Sequence, residues 1–126
     1  VEHLLTGLNP EIKEEVIASW SRRSPAERAT TWLLPAGGHI PSWIKGSHSK
    51  VAVRVTTHSL CAALCHAFNG FIVSTSANPA GLEPARSLQE ASQYFANELN
   101  YLNGDLGLSQ EPSKIIDAET GEIIRA

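Results

Sequence analysis

The sequence predicts an α/β (α+β) domain in which helices flank a twisted mixed sheet. Three observations predict it. Short apolar, β-prone runs at residues 31–34, 50–55 and 71–74 alternate with segments of helical spacing. Near the end, Lys114-Ile115-Ile116-Asp117 and Glu122-Ile123-Ile124-Arg125 flank Ala-Glu-Thr-Gly, the pattern of a hairpin. The chain has 126 residues, 42% apolar and 18% charged, which suits one folded domain of modest size.

Each element has a local cause. Asn9-Pro10-Glu11 starts a helix, with Asn as N-cap, Pro at the first helical position and an acid in the first turn. Ile12, Val16, Ile17 and Trp20 then recur at helical spacing. Residues 21–30 are polar, carry Arg22, Arg23 and Arg28, and read as an exposed basic loop. Thr31-Trp32-Leu33-Leu34 is a short strand stopped by Pro35, and residues 41–46 form a turn or a single helical turn. In residues 50–55, Val51, Val53 and Val55 face one side while Lys50, Ala52 and Arg54 face the other. A helix over 58–68 shows Leu60, Leu64 and Phe68 on one face, and a strand over 71–74 follows. Ser87-Leu88-Gln89-Glu90 matches a capping box and opens a helix to about residue 100, with Leu88, Ala91, Phe95 and Leu99 as its apolar face. In the terminal hairpin Gly121 takes a positive φ.

The bulk numbers exclude some classes. Net charge is −3, against nucleic-acid binding by global charge, although a local basic face stays open. No apolar run approaches the roughly 18 residues of a membrane span. Cys61 and Cys65 lie on one helix face and read as small buried apolar groups rather than a disulfide, so a cytoplasmic setting is expected. The chain has no Met and opens on Val1, which predicts either a processed N-terminus or a piece of a longer protein.

Chemistry concentrates in Ser74-Thr75-Ser76-Ala77-Asn78, behind the apolar run Phe71-Ile72-Val73. A strand ending this way brings hydroxyls, an amide and backbone N–H groups to one spot, where a phosphate or a carboxylate can be held. The same residue types also build ordinary turns. Arg54, opposite the valine face, must reach solvent or pair with an anion. Lys50 shares that face, while Ser113 opens the hairpin and Arg125 closes it. Any of these four could equally be a plain surface residue. His58, Cys65 and His66 lack the closely convergent spacing of a zinc site, and no metal ligands are assigned.

Taken together, these pieces resemble the YrdC-like threonylcarbamoyl-adenylate synthase family. The resemblance rests on Val51-Ala52-Val53-Arg54-Val55-Thr56-Thr57-His58, on Phe71 through Asn78 with Pro79-Ala80-Gly81, and on Pro112-Ser113-Lys114-Ile115-Ile116-Asp117 with Ile123-Ile124-Arg125. It covers residues 31–125 and, more loosely, the leading helix of residues 1–20. It implies a transferase that condenses L-threonine, bicarbonate and ATP, with Mg2+ accompanying the ATP and no tightly bound cofactor. The products are threonylcarbamoyl-adenylate and pyrophosphate, and the adenylate feeds the N6-threonylcarbamoyl modification of adenosine 37 in tRNA. It also implies tRNA-modification partner proteins, with tRNA or double-stranded RNA as a candidate ligand.

Carried over by position, the resemblance gives Arg54, Ser74 and Ser113 to threonine. It gives Ser76, Asn78, Arg125 and Lys50 to the nucleotide. Members carry a Lys-x-Arg motif and a Pro-Thr-Glu-type strand upstream, neither of which occurs in this chain. Where they have Trp-Pro-Gly-Pro-x-Thr, this chain has Trp20 followed by the basic loop, and Ser59 and Phe71 stand where members usually have proline. The chain thus looks like the C-terminal two-thirds of a synthase, a partial domain over residues 1–126. The alternative is a truncated, inactive nucleotide- or RNA-binding relative.

Overall fold

The structure is a computed structural model that describes residues 2–21 and 27–126. Half of the expected basic loop, residues 22–26 with Arg22 and Arg23, lies outside the described residues. The chain divides into two compact units, one of residues 1–62 with 107–126 and one of residues 63–106.

The first unit carries the sheet. A 3-10 turn, Glu2–Leu5, precedes helix α1, Pro10–Ser21. Asn9 caps α1 by accepting the Glu11 N–H on Oδ1 at 2.9 Å. Strands β1 (Thr30–Pro35), β2 (Lys50–Val53), β3 (Lys114–Asp117) and β4 (Ile123–Arg125) pair in the order β2-β1-β3-β4. β1 runs antiparallel to β2 and parallel to β3, and β3 and β4 form the antiparallel hairpin. The sheet is therefore mixed, as the sequence predicts. Its core is Leu4, Leu5, Val16, Trp32, Leu34, Val51, Val53 and Ala118. One hydrogen-bonded chain ties α1 to β1: Trp32 Nε1 donates to Ser19 Oγ at 2.9 Å, and that hydroxyl donates to the Val16 carbonyl at 2.7 Å. Helix α2 is one turn, Ser42–Lys45. The terminal hairpin turns at Gly121 with φ +72°, where the Gly121 N–H reaches the Asp117 carbonyl at 2.8 Å.

Helix α3, Ser59–Phe68, follows β2, and the second unit contains helix α4, Leu88–Phe95, closed by a 3-10 turn at Ala96–Glu98. Ser87 caps α4 as expected, accepting the Glu90 N–H at 3.1 Å. The reciprocal arm differs, because Glu90 Oε2 takes the Arg86 N–H instead of that of Ser87.

Four expectations are corrected. Residues 71–74 form no strand. A strand exists only within a ladder, and the sheet of the described residues is built from β2, β1, β3 and β4 alone. β2 ends at Val53, so Arg54 and Val55 follow the strand instead of lying within it. The apolar faces of α3 and α4 are not buried: Leu64, Phe68 and Leu88 are exposed, and α4 stops at Phe95 rather than near residue 100, which leaves Leu99 outside the helix and exposed too. Cys61 is exposed and Cys65 half-buried, both unbridged, because the α3 face that carries them packs against no core.

Candidate functional site

Sheet alternation sorts the candidate residues. Directly paired residues share a face. The pairs Trp32–Val53 and Leu34–Val51 point into the core, and Ile116, opposite Trp32, packs there too. The intervening residues face away, so Thr31, Leu33, Ala52, Ile115, Asp117 and Arg125 line the second face.

At one end of this face Ser113, just before β3, is only 8% exposed. Its Oγ lies 2.7 Å from Thr31 Oγ1. Arg125 grips the same residue twice, donating Nε to the Ser113 carbonyl at 2.9 Å and Nη2 to Ser113 Oγ at 3.1 Å. Behind it, Arg28 donates Nε to the Pro112 carbonyl at 2.5 Å and Nη2 to the Ala126 carbonyl at 2.8 Å. Its Nη1 pairs with Glu111 at 3.5 Å. The guanidinium of Arg28 is thus taken up by the protein's own acceptors rather than left free on an exposed loop. Arg54 lies one residue beyond the last β1–β2 pair, Trp32–Val53, at the Thr31 end of the face, and is exposed. The fold therefore brings Arg54, Ser113 and Arg125 to one end of one face.

Lys50 falls at the other end, opposite Pro35 and about 13 Å along an extended strand from Arg54. Its Nζ contacts Asp117 Oδ2 at 2.5 Å and Glu119 Oε2 at 3.0 Å. Hydrogen bonds to Asp117 and then Glu119 raise the Lys50 pKa above its ordinary value. Burial of Asp117 works against its ionisation. The Lys50 ammonium and the N–H groups of Glu119 and Thr120 outweigh that and hold its carboxyl below the usual range. The positive charge of Lys50 is answered locally by two carboxylates.

Ser74, Ser76 and Asn78 belong to the second unit. Residues 71–77 are exposed, and the turn after them is closed by the Asn78 side chain. Asn78 Nδ2 donates to the Pro79 carbonyl at 3.1 Å and to the Leu82 carbonyl at 2.9 Å. Gly81, at φ +82°, lets the chain turn back so that the Leu82 N–H meets the Pro79 carbonyl at 3.1 Å. Both amide hydrogens of Asn78 are used in this way, while Oδ1 is buried without a partner. In this arrangement the Asn78 side chain holds the turn, with both amide hydrogens used and Oδ1 buried.

Among the described residues no three His, Cys, Asp or Glu side chains converge as metal ligands. Among the described residues no helix is long and apolar enough to cross a membrane.

The family model for Sua5/YciO/YrdC proteins, described as telomere recombination, matches residues 1–126. The chain belongs to the Sua5/YciO/YrdC family. Its family relatives include the threonylcarbamoyl-AMP synthase of Acinetobacter baumannii, 70% identical over 125 residues, covering 99% of this chain and 66% of the relative. That of Acinetobacter baylyi is 69% identical over 126 residues, again covering 99% of this chain and 66% of the relative. That of Saccharophagus degradans is 44% identical over 127 residues, covering 100% of this chain and 63% of the relative. The Sua5/YciO/YrdC chain thus spans just under two thirds of these relatives' length.

Two residues of the site were not singled out by sequence reasoning. Thr31 reads only as the start of a strand, and Arg28 as part of a solvated loop. For Thr31 a usable signal existed, since alternation about Trp32 sets it on the polar face. Arg28 carried no such signal, because its acceptors are carbonyls 84 and 98 residues away in the chain.

Proposed function

We propose that this chain takes part in threonylcarbamoyl-adenylate synthesis, joining L-threonine, bicarbonate and ATP and releasing pyrophosphate, for N6-threonylcarbamoyl modification of tRNA in the cytoplasm. The observation that carries this reading is the 70% identity, over 99% of the chain, to proteins named threonylcarbamoyl-AMP synthase. The geometry supports it with two guanidinium groups and a buried hydroxyl at one end of a sheet face. Arg54 would take the threonine carboxylate as a bidentate partner with Ser113 beside it, and Ser74 would contact threonine as well. Ser76 and Arg125 would meet the nucleotide. Asn78 would hold the loop that carries Ser76, and Lys50 would act from further along the face. Magnesium would arrive on the ATP phosphates and neutralise their charge. These groups position reactants and offset negative charge, which is the main demand of phosphoryl chemistry. Partner proteins of tRNA modification, and tRNA itself, are the macromolecules this reading implies.

A binding role without turnover is the second reading. It is favoured by the absence of any Lys-x-Arg from the chain, since that motif supplies cations in the family the chain resembles. One experiment tests both. Calorimetry on the chain should detect L-threonine and MgATP binding. Pyrophosphate release with bicarbonate present should run at no more than about a hundredth of an intact synthase, the usual cost of losing a charge-stabilising donor. Failure to bind either ligand would end the first reading. Turnover equal to an intact synthase would end the second.

A further inference from the structure

Thr31 and Ser113 are joined side chain to side chain at 2.7 Å. β1 and β3 are already joined by their ladder, and the Lys114 N–H donates to the Ala29 carbonyl at 2.9 Å beside it. A side-chain bond between the same two segments adds little to that register. What it does fix is the direction of a hydroxyl.

The hydrogens can be counted. Arg125 can only donate, so one lone pair of Ser113 Oγ is taken by Nη2. Thr31 and Ser113 together hold two hydroxyl protons, and one of them spans the 2.7 Å between the oxygens. If Thr31 donates, both lone pairs of Ser113 are filled and the Ser113 proton must point elsewhere. If Ser113 donates, the Thr31 proton is the free one. In both cases the pair presents one O–H donor, polarised by an adjacent guanidinium, on the face and at the end where Arg54 stands.

We propose that Thr31 is a substrate-positioning residue, which locks the Ser113 hydroxyl so that the pair's free proton is aimed at a carboxylate oxygen of the amino-acid substrate. The assignment rests on the threonine-binding reading above. Thr31 acts through Ser113, and its methyl and backbone stay in β1. Valine at this position keeps the shape and removes the hydroxyl. Serine keeps the hydroxyl and removes a methyl.

The test uses the full chain and three measurements: the L-threonine dissociation constant, the MgATP dissociation constant and thermal unfolding. Thr31→Val should weaken threonine about tenfold while leaving MgATP within about twofold, the scale of one hydrogen bond to a charged group. Thr31→Ser should restore threonine binding. Thr31→Ala, which adds no bulk, is the substitute if the valine variant does not fold. Thr31→Val binding threonine as tightly as the unmodified chain overturns the proposal. A parallel loss of both ligands and of thermal stability, not rescued by serine, also overturns it, because that is a structural role. If the unmodified chain binds no threonine, the underlying reading has failed and the proposal falls with it. A ligand-free arm separates the two. A Thr31→Val, Ser113→Ala double-mutant cycle in unfolding should be non-additive, and additivity overturns the positioning role even where threonine binds.

Discussion

Asp117 shows how one side chain can serve two purposes. Oδ1 accepts the Glu119 and Thr120 N–H groups and shapes the hairpin turn, while Oδ2 takes the Lys50 ammonium from across β1. Its pKa lies below the ordinary 3.8, so its contribution to stability is present above that value and is lost as pH falls through the lower folded value. Lys50 has the opposite sign. Its pKa is raised above 10.5, so its contribution is complete below 10.5 and is lost as pH rises through the folded value. Asp117→Asn keeps the turn acceptor and removes the charge. Its melting temperature should fall below that of the unmodified chain at neutral pH, and the gap should close as pH drops past 3.8. Melts across an acid series check this; a gap that is constant with pH would remove Asp117 as the titrating group. The same local logic made Arg54 legible as a residue needing an anion or solvent, and it left Lys50 ambiguous until its carboxylate partners were in view.

At the scale of elements, β1 organises the first unit. It is hydrogen-bonded on both sides, to β2 and to β3, and places Trp32 and Leu34 in the core with Thr31 on the opposite face. Leu34 is completely buried. Leu34→Ala should therefore cost about 2–5 kcal/mol through lost burial and a cavity, measured by denaturant unfolding. A loss typical of a surface site would mean that the core closes elsewhere. β1, β2 and the terminal hairpin were legible because each carries its own signal: a Pro stop, valine alternation, or paired runs around a glycine turn. Residues 71–74 carry an equally strong β signal and form no strand, since propensity sets only what a segment favours if a neighbour is available. α3 and α4 likewise show helical spacing that the structure realises as helices but leaves unburied.

For the whole molecule, the distribution of apolar surface matters most. The core belongs to the first unit, while Phe68, Phe71, Ile72, Val73, Leu82, Leu102 and Leu106 of the second are exposed. Large exposed apolar patches favour association. The chain should self-associate in a concentration series followed by sedimentation or light scattering. A strict monomer with one cooperative, high-temperature melt would show that these side chains are covered in solution.

The sequence by itself determined the fold class, most of the elements and the family resemblance, because these depend on local periodicity, capping and turn chemistry. It also picked out Arg54, Ser113 and Arg125 as candidates one at a time. Only the tertiary structure decided that these three share one end of one sheet face, that Thr31 joins them, and that Arg28 and Lys50 are spent on internal acceptors. The reason is physical. Strand alternation fixes which side a residue faces, but which strands are neighbours, and in what register, is set by pairing between segments far apart in the chain. Ser113 and Thr31 are 82 residues apart and meet only because β1 and β3 run parallel, side by side.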